Sequence, residues 1–225
     1  MRHAGRVIVG MQAIAQLVND SVPGQRRAMV GVDGVDGSGK STFAEALARR
    51  VKTRPVVLIH LDDFLNPASI RHRRGRTSPE GFWLDSYDYD AFEAYVLRPL
   101  RADGDGRYRT RSYDPATDTG VRPPLRQAPQ DALVVVEGMF LHRDGVSEAW
   151  DFSVFLDVPF HETARRMAAR DGSNPDPEHE SMRRYVEGQR IYFATARPWQ
   201  RASLVIENSD PDRPYVVAPE TLGPR

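Results

Sequence analysis

The sequence has no cysteine among its 225 residues. That excludes a disulfide framework, a thiolate metal site and a cysteine nucleophile. It has no excess charge of either sign, because 31 Lys and Arg face 31 Asp and Glu. A chain held on nucleic acid or anionic lipid by bulk charge would be clearly basic, so neither a nucleic acid nor a membrane is expected as a partner. No apolar run approaches the roughly 18 residues that cross a bilayer. The stretch 7–11 is followed by Gln12 and Gln16 and does not read as a secretory signal. A cytoplasmic setting is the expectation. Lysine is scarce as well, with Lys40 and Lys52 the only two. Every other basic side chain is arginine, which makes Lys40 conspicuous.

What is present suffices for a packed core. Hydrophobic residues are 40% and charged residues 28% of the chain, which excludes disorder as the main state. One domain is expected over 1–208, with a tail over 209–225 that carries four prolines and is expected to have little order. Apolar runs at 28–32, 56–61, 133–136, 152–157 and 204–206 read as strands. Apolar residues at helical spacing fill 11–18, 41–51, 89–100, 160–170 and about 179–196. The segment 107–113 alternates weakly and suggests a small hairpin strand. Continuous Val, Leu and Ile strands alternating with helices imply a parallel sheet covered on both faces.

The class is decided by Gly34-Val35-Asp36-Gly37-Ser38-Gly39-Lys40-Ser41, which fits G-x-x-x-x-G-K-[ST] at every fixed position. A strand precedes it and a helix follows. Glycines let successive N–H groups turn inward as an anion nest, and the helix adds the positive end of its dipole. Lys40 reaches the β- and γ-phosphates, Ser41 suits Mg²⁺, and Thr42 follows at the helix start. The fold expected is therefore α/β, a three-layer P-loop NTPase with a central parallel sheet and a mobile lid over about 165–185.

Neither lysine follows an asparagine, which disfavours a guanine-specific switch. A small-molecule kinase remains, using ATP and Mg²⁺. Such an enzyme needs a group to orient the acceptor hydroxyl, a metal contact and cations for the moving phosphoryl group. Asp62 ends one strand and Glu137 another, at the carboxyl edge where ligands bind in α/β folds. Asp62 is the candidate base, with Asp63 as an alternative. Glu137 joins Ser41 as a candidate metal contact. Arg166 and Arg170 share a helix face ahead of the polar loop 171–178 and suit a closing lid. Arg165 and Arg190 are weaker candidates. The arginine-dense segment 71–76 reads as a solvated loop. Of the aromatics Phe64, Phe82, Trp83, Tyr87 and Tyr113, one or two are expected to stack on an acceptor, Tyr113 first.

With these residues in place, 28–208 resembles the uridine kinase / phosphoribulokinase family. Leu61-Asp62-Asp63-Phe64 is similar to its Asp-x-Phe-Tyr element, although Leu65 stands where uridine kinases carry Tyr. The resemblance puts Asp62 at the catalytic base. It implies an acceptor segment over 87–92, where Asp88 or Asp90 would contact ribose hydroxyls. It also implies a hairpin over 111–114 whose Tyr113 packs on the nucleoside, and a lid over 166–170. The acceptor expected is a uridine- or cytidine-type nucleoside, with Asp62, Phe64, Asp88 and Tyr113 around it. Pantothenate, nicotinamide riboside or a sugar phosphate are alternatives. A nucleotide-binding regulatory protein without turnover is the alternative of another class, and homo-oligomerisation is left open.

Overall fold

The computed structural model describes residues 7–8 and 10–218. Along the chain come β1 (Val7–Ile8), α1 (Met11–Ser21), β2 (Ala28–Gly34), α2 (Lys40–Arg50) and β3 (Val56–His60). A 3-10 turn over Leu61–Phe64 leads to α3 (Ala68–Arg71), α4 (Pro79–Asp85) and α5 (Tyr89–Phe92). A π-helical turn over Glu93–Leu97 then joins α6 (Arg98–Leu100). Four short strands follow: β4 (Arg107–Tyr108), β5 (Tyr113–Asp114), β6 (Thr119–Gly120) and β7 (Arg126–Gln127). The chain continues through β8 (Leu133–Gly138), β9 (Phe152–Asp157), α7 (Phe160–Asp171), α8 (Arg183–Ala196), α9 (Pro198–Arg201), β10 (Leu204–Glu207) and β11 (Tyr215–Val217).

The strand order is β1-β11-β10-β9-β2-β8-β3. β10, β9, β2, β8 and β3 run parallel, with β11 and then β1 added antiparallel at one edge. This is the parallel sheet expected from the apolar runs, and its alternation explains why both faces are covered. Ala28, Val30, Val32, Leu133, Val135, Val154 and Leu156 pack with Phe43, Ala44 and Leu47 of α2 and with Ile14, Ala15 and Val18 of α1. Met29, Val134, Val136 and Phe155 point the other way, into an aromatic layer with Phe82, Trp83, Phe140, Tyr192 and Phe193.

Four sequence expectations change. Between the strand expected to 61 and the helix expected from 89, where the sequence reading places no element, the structure has α3 and α4; Ser78 caps α4 by accepting from Gly81 N, Pro79 opens it, and Phe82 and Trp83 are buried. Segment 107–113 forms no single hairpin strand, because β4 pairs with β7 while β5 pairs with β6. The helix expected from 179 begins as a 3-10 turn over Glu180–Met182 before α8. The tail is ordered as far as β11, whose Val216 pairs with both Ile206 and Val7; the rest of the expected tail, 219–225, lies outside the described residues.

The Arg-rich segment 71–76 is organised around buried groups instead of being merely solvated. The Asp85 side chain, 1% exposed, pairs with Arg73 and, at 3.0 Å, with Arg74. Arg184 donates to the carbonyls of Arg71, Gly75, Arg76 and Ser78.

Candidate active site

The site grows from the carboxyl edge of the parallel strands. β2 runs directly into the loop 34–39, and Gly39 holds φ +89 as the N-cap of α2. A side chain there would be strained, and its Cβ would lie 3.1 Å from Asn208 Nδ2. Behind the loop, Ser38 N donates to Val35 O, and Asp36 N donates to Gln189 Oε1 at 2.8 Å. The N–H groups of Gly37, Gly39, Lys40 and Ser41 have no protein acceptor among the described residues. They are the donors an anion nest would present. Lys40 Nζ rests on Val35 O at 2.9 Å, folded back over the loop.

The register sets the next layer. His60 and Val32 both lie opposite Glu137 across neighbouring strands. Glu137 Oε1 is consequently 2.7 Å from His60 Nδ1 and accepts from Ser41 Oγ at 3.1 Å. The Glu137 bond raises the His60 imidazole above its ordinary value, against a smaller opposing effect of burial. Gly138 is required beside it: a Cβ there would come 2.4 Å from Leu61 Cβ, so glycine is what lets the 3-10 turn close over β8. That turn carries Asp62, whose Oδ1 accepts from Tyr87 OH at 2.7 Å. Burial, and then the Asp62 charge, push the Tyr87 phenol well above its ordinary value, so it stays a donor. Burial likewise raises the Asp63 carboxyl, opposed by His60 and Arg111.

A cavity of about 350 Å³ unites these parts. Asp36, Gly37, Gly39, Lys40, Ser41, Thr42, Asp62, Glu137, Arg166 and Arg170 all line it. Gly34, Val35 and Ser38 do not line it: they shape the loop from behind, with Val35 and Ser38 buried. Arg166 is pinned by Glu162 Oε1 at 2.9 Å, Asn208 O at 2.8 Å and Ser209 O at 2.9 Å. Arg170 is looser, pairing with Asp171 at 2.8 Å and Asp36 at 3.5 Å. Asp63 does not line the cavity.

The acceptor residues expected from sequence fare differently. Phe64 is 0% exposed and packs edge-on to Phe92 at 5.3 Å, so it is core and cannot stack on a ligand. Asp88 accepts from Ala91 N at 2.9 Å and caps α5. Tyr113 is buried; its hydroxyl meets Asp118 at 2.7 Å and Arg71 at 3.1 Å, and the Arg71 guanidinium lies over its ring. Four contributors escaped the sequence reading: His60, Tyr87 as the donor to Asp62, Gln189 and Asn208. Asn208 Nδ2 donates to Ser38 O at 2.8 Å. The one usable signal was position, since His60 and Asn208 stand at or just past strand ends on the ligand edge.

Among the described residues no three His, Asp or Glu side chains cluster as a metal site. Ser41 and Glu137 offer hard oxygens at one point, which suits Mg²⁺ held partly by nucleotide phosphates rather than by a protein cage.

A phosphate nest, one lysine and two carboxylates at the carboxyl edge of a parallel sheet define a P-loop phosphotransferase. Comparison with known proteins narrows the class. Residues 29–185 match the Phosphoribulokinase / Uridine kinase family, and the chain belongs to that family. It is an ATP-dependent small-molecule kinase. It is 28% identical over 153 residues to nicotinamide riboside kinase 1 of Mus musculus, covering 68% of this chain and 71% of that protein. It is 27% identical over 156 residues to a uridine kinase of Ureaplasma parvum serovar 3, covering 67% and 72%. A solved structure from Bacillus stearothermophilus, titled as a possible uridine kinase, superposes with a TM-score of 0.68 at 23% identity, covering 87% of this chain and 96% of that one. That likeness speaks for the fold.

Proposed function

We propose that the protein transfers the γ-phosphoryl group of ATP to a hydroxyl of a ribonucleoside, of the uridine or cytidine type. The relatives named above are kinases of uridine and of nicotinamide riboside, so nicotinamide riboside is the second reading. The observation that carries the proposal is that Asp62 opens into the same cavity as Lys40, Ser41 and Glu137. A pure nucleotide binder would not need a carboxylate held there by a buried tyrosine.

Asp62, oriented by Tyr87, positions the acceptor hydroxyl and takes its proton. The acceptor oxygen bonds to the γ-phosphorus while the bond to the ADP oxygen breaks. The nest and Lys40 hold the polyphosphate, and Arg166 and Arg170 neutralise charge as it develops. Ser41 and Glu137 would hold Mg²⁺, which when bound would supply neutralisation of the polyphosphate charge. In this reading the chain as far as β11 is one kinase unit, because β11 joins the central sheet beyond residue 208, and about 165–185 moves as its lid, with Arg166 at the fixed end and Arg170 nearer the moving one.

The test is ADP release with uridine, cytidine, nicotinamide riboside, pantothenate and sugar phosphates as acceptors. A nucleoside should give the highest kcat/KM. Asp62→Asn should lower turnover by at least about a hundredfold while ATP binding persists. Near-normal turnover of that variant removes Asp62 from its role, and ATP binding without turnover for any acceptor returns the protein to the regulatory class.

A further inference from the structure

The phosphate cavity does not end at the P-loop. A second cavity of about 240 Å³ opens beyond Gly39, Thr42 and Arg166, residues that line both. Its far walls are apolar: Phe43 and Ala46 of α2, Pro211 from the segment after β10, and Met11, the first residue of α1. A triphosphate held along the nest with its γ-phosphate towards Asp62 would run its other end past Gly39, Thr42 and Arg166, so the flat base of the donor nucleotide would enter this second cavity. Two of its walls come from outside the stretch that matches the family, since 29–185 contains neither Met11 nor Pro211.

Both foreign walls are anchored. α1 buries Ile14, Ala15 and Val18 against α2 and the sheet. Ahead of it β1 pairs with β11, and β11 pairs with β10, so the chain on both sides of Met11 and Pro211 is tied to the sheet edge. The Arg166 and Asn208 side chains at the rim are already engaged: Arg166 donates to the carbonyls of Asn208 and Ser209, and Asn208 donates to Ser38 O. Against the far walls a base is gripped by contact area, which makes each apolar wall count.

We propose that α1 is part of the nucleotide site, with Met11 closing the seat of the donor's base opposite Arg166 and Pro211. The inference rests on the kinase reading and names a contact to the base alone. Shortening Met11 therefore weakens the whole nucleotide but leaves the grip on the bare polyphosphate untouched.

The experiment is calorimetry on the full chain with Mg²⁺, titrating ATP and inorganic tripolyphosphate into wild type, Met11→Ala, Met11→Leu and Leu17→Ala. Leu17 is on the same helix but 44% exposed, and it serves as the control for disturbing α1. Met11→Ala should weaken ATP about three- to tenfold, the expected effect of losing one apolar wall. Its tripolyphosphate affinity should equal that of wild type, Met11→Leu should retain most of the ATP affinity, and Leu17→Ala should change neither ligand. Unchanged ATP affinity in Met11→Ala, or equal weakening of ATP and tripolyphosphate, overturns the assignment while the kinase reading stands. Failure of wild type to bind ATP at all overturns both.

Discussion

Tyr87→Phe isolates a single hydrogen bond at the centre of the proposed chemistry. Tyr87 is 3% exposed and packs beside Tyr89 and Phe140, at ring separations of 5.9 and 6.3 Å. Phenylalanine keeps the ring and its packing and deletes only the hydroxyl that reaches Asp62 at 2.7 Å. A bond to a charged acceptor is worth about 1.5–3 kcal/mol, and more of that is lost when no water can replace the donor. Asp62 itself is exposed, so water recovers part of the loss and about 1–1.5 kcal/mol remains. At 1.36 kcal/mol per decade, turnover should fall about tenfold. Tyr87 does not line the P-loop cavity, so calorimetric ATP affinity should hold, while unfolding in urea should lose no more than the same ~1–1.5 kcal/mol. The phenol is held above its ordinary value, so wild-type turnover should show no tyrosine ionisation below pH ~10. The assay is steady-state ADP release at saturating acceptor and ATP. A turnover equal to wild type would refute the reasoning, because the donor would then be irrelevant to how Asp62 is aimed.

Two stability predictions come from buried carboxylates. Asp33 is 0% exposed and accepts from Gly34 N, His142 N, His142 Nδ1 and Tyr192 OH, joining β2 to the segment after β8 and to α8. Asp33→Ala should cost about 3–5 kcal/mol in urea unfolding, because it strands those donors; a loss below about 1 kcal/mol would show that the network contributes little. Burial alone would raise the Asp85 carboxyl, but Arg73 and Arg74 outweigh it and hold the folded value below 3.8. That contribution is present above the ordinary carboxylate value and drains away as pH falls through the lower folded one. Urea midpoints of wild type should therefore drop more steeply than those of Asp85→Asn on acidification below pH ~4, and parallel curves would contradict the pairing.

The loop on which the proposed phosphate grip rests was legible in the sequence. Gly37 and Gly39 take positive φ and Lys40 opens α2, so the backbone conformation is local and survives translation from string to structure. The same holds for the parallel core, since runs such as Val134, Val135 and Val136 are apolar on both faces whatever lies beyond them. What depends on register and crossing came from the packing of distant elements. Glu137 meets His60 because two strands 77 residues apart align at their ends. Tyr87 reaches Asp62 because α4 and the turn before α5 fold back under the 3-10 turn, and that same return buries Phe64, which looked available in the sequence. Asp88 was equally ambiguous, because a carboxylate before a short helix can cap it or bind a ligand, and only its bond to Ala91 N shows the cap. Periodicity reports which way a side chain faces along its own element; which distant side chain it then meets is set by how the elements pack, and that information is not local.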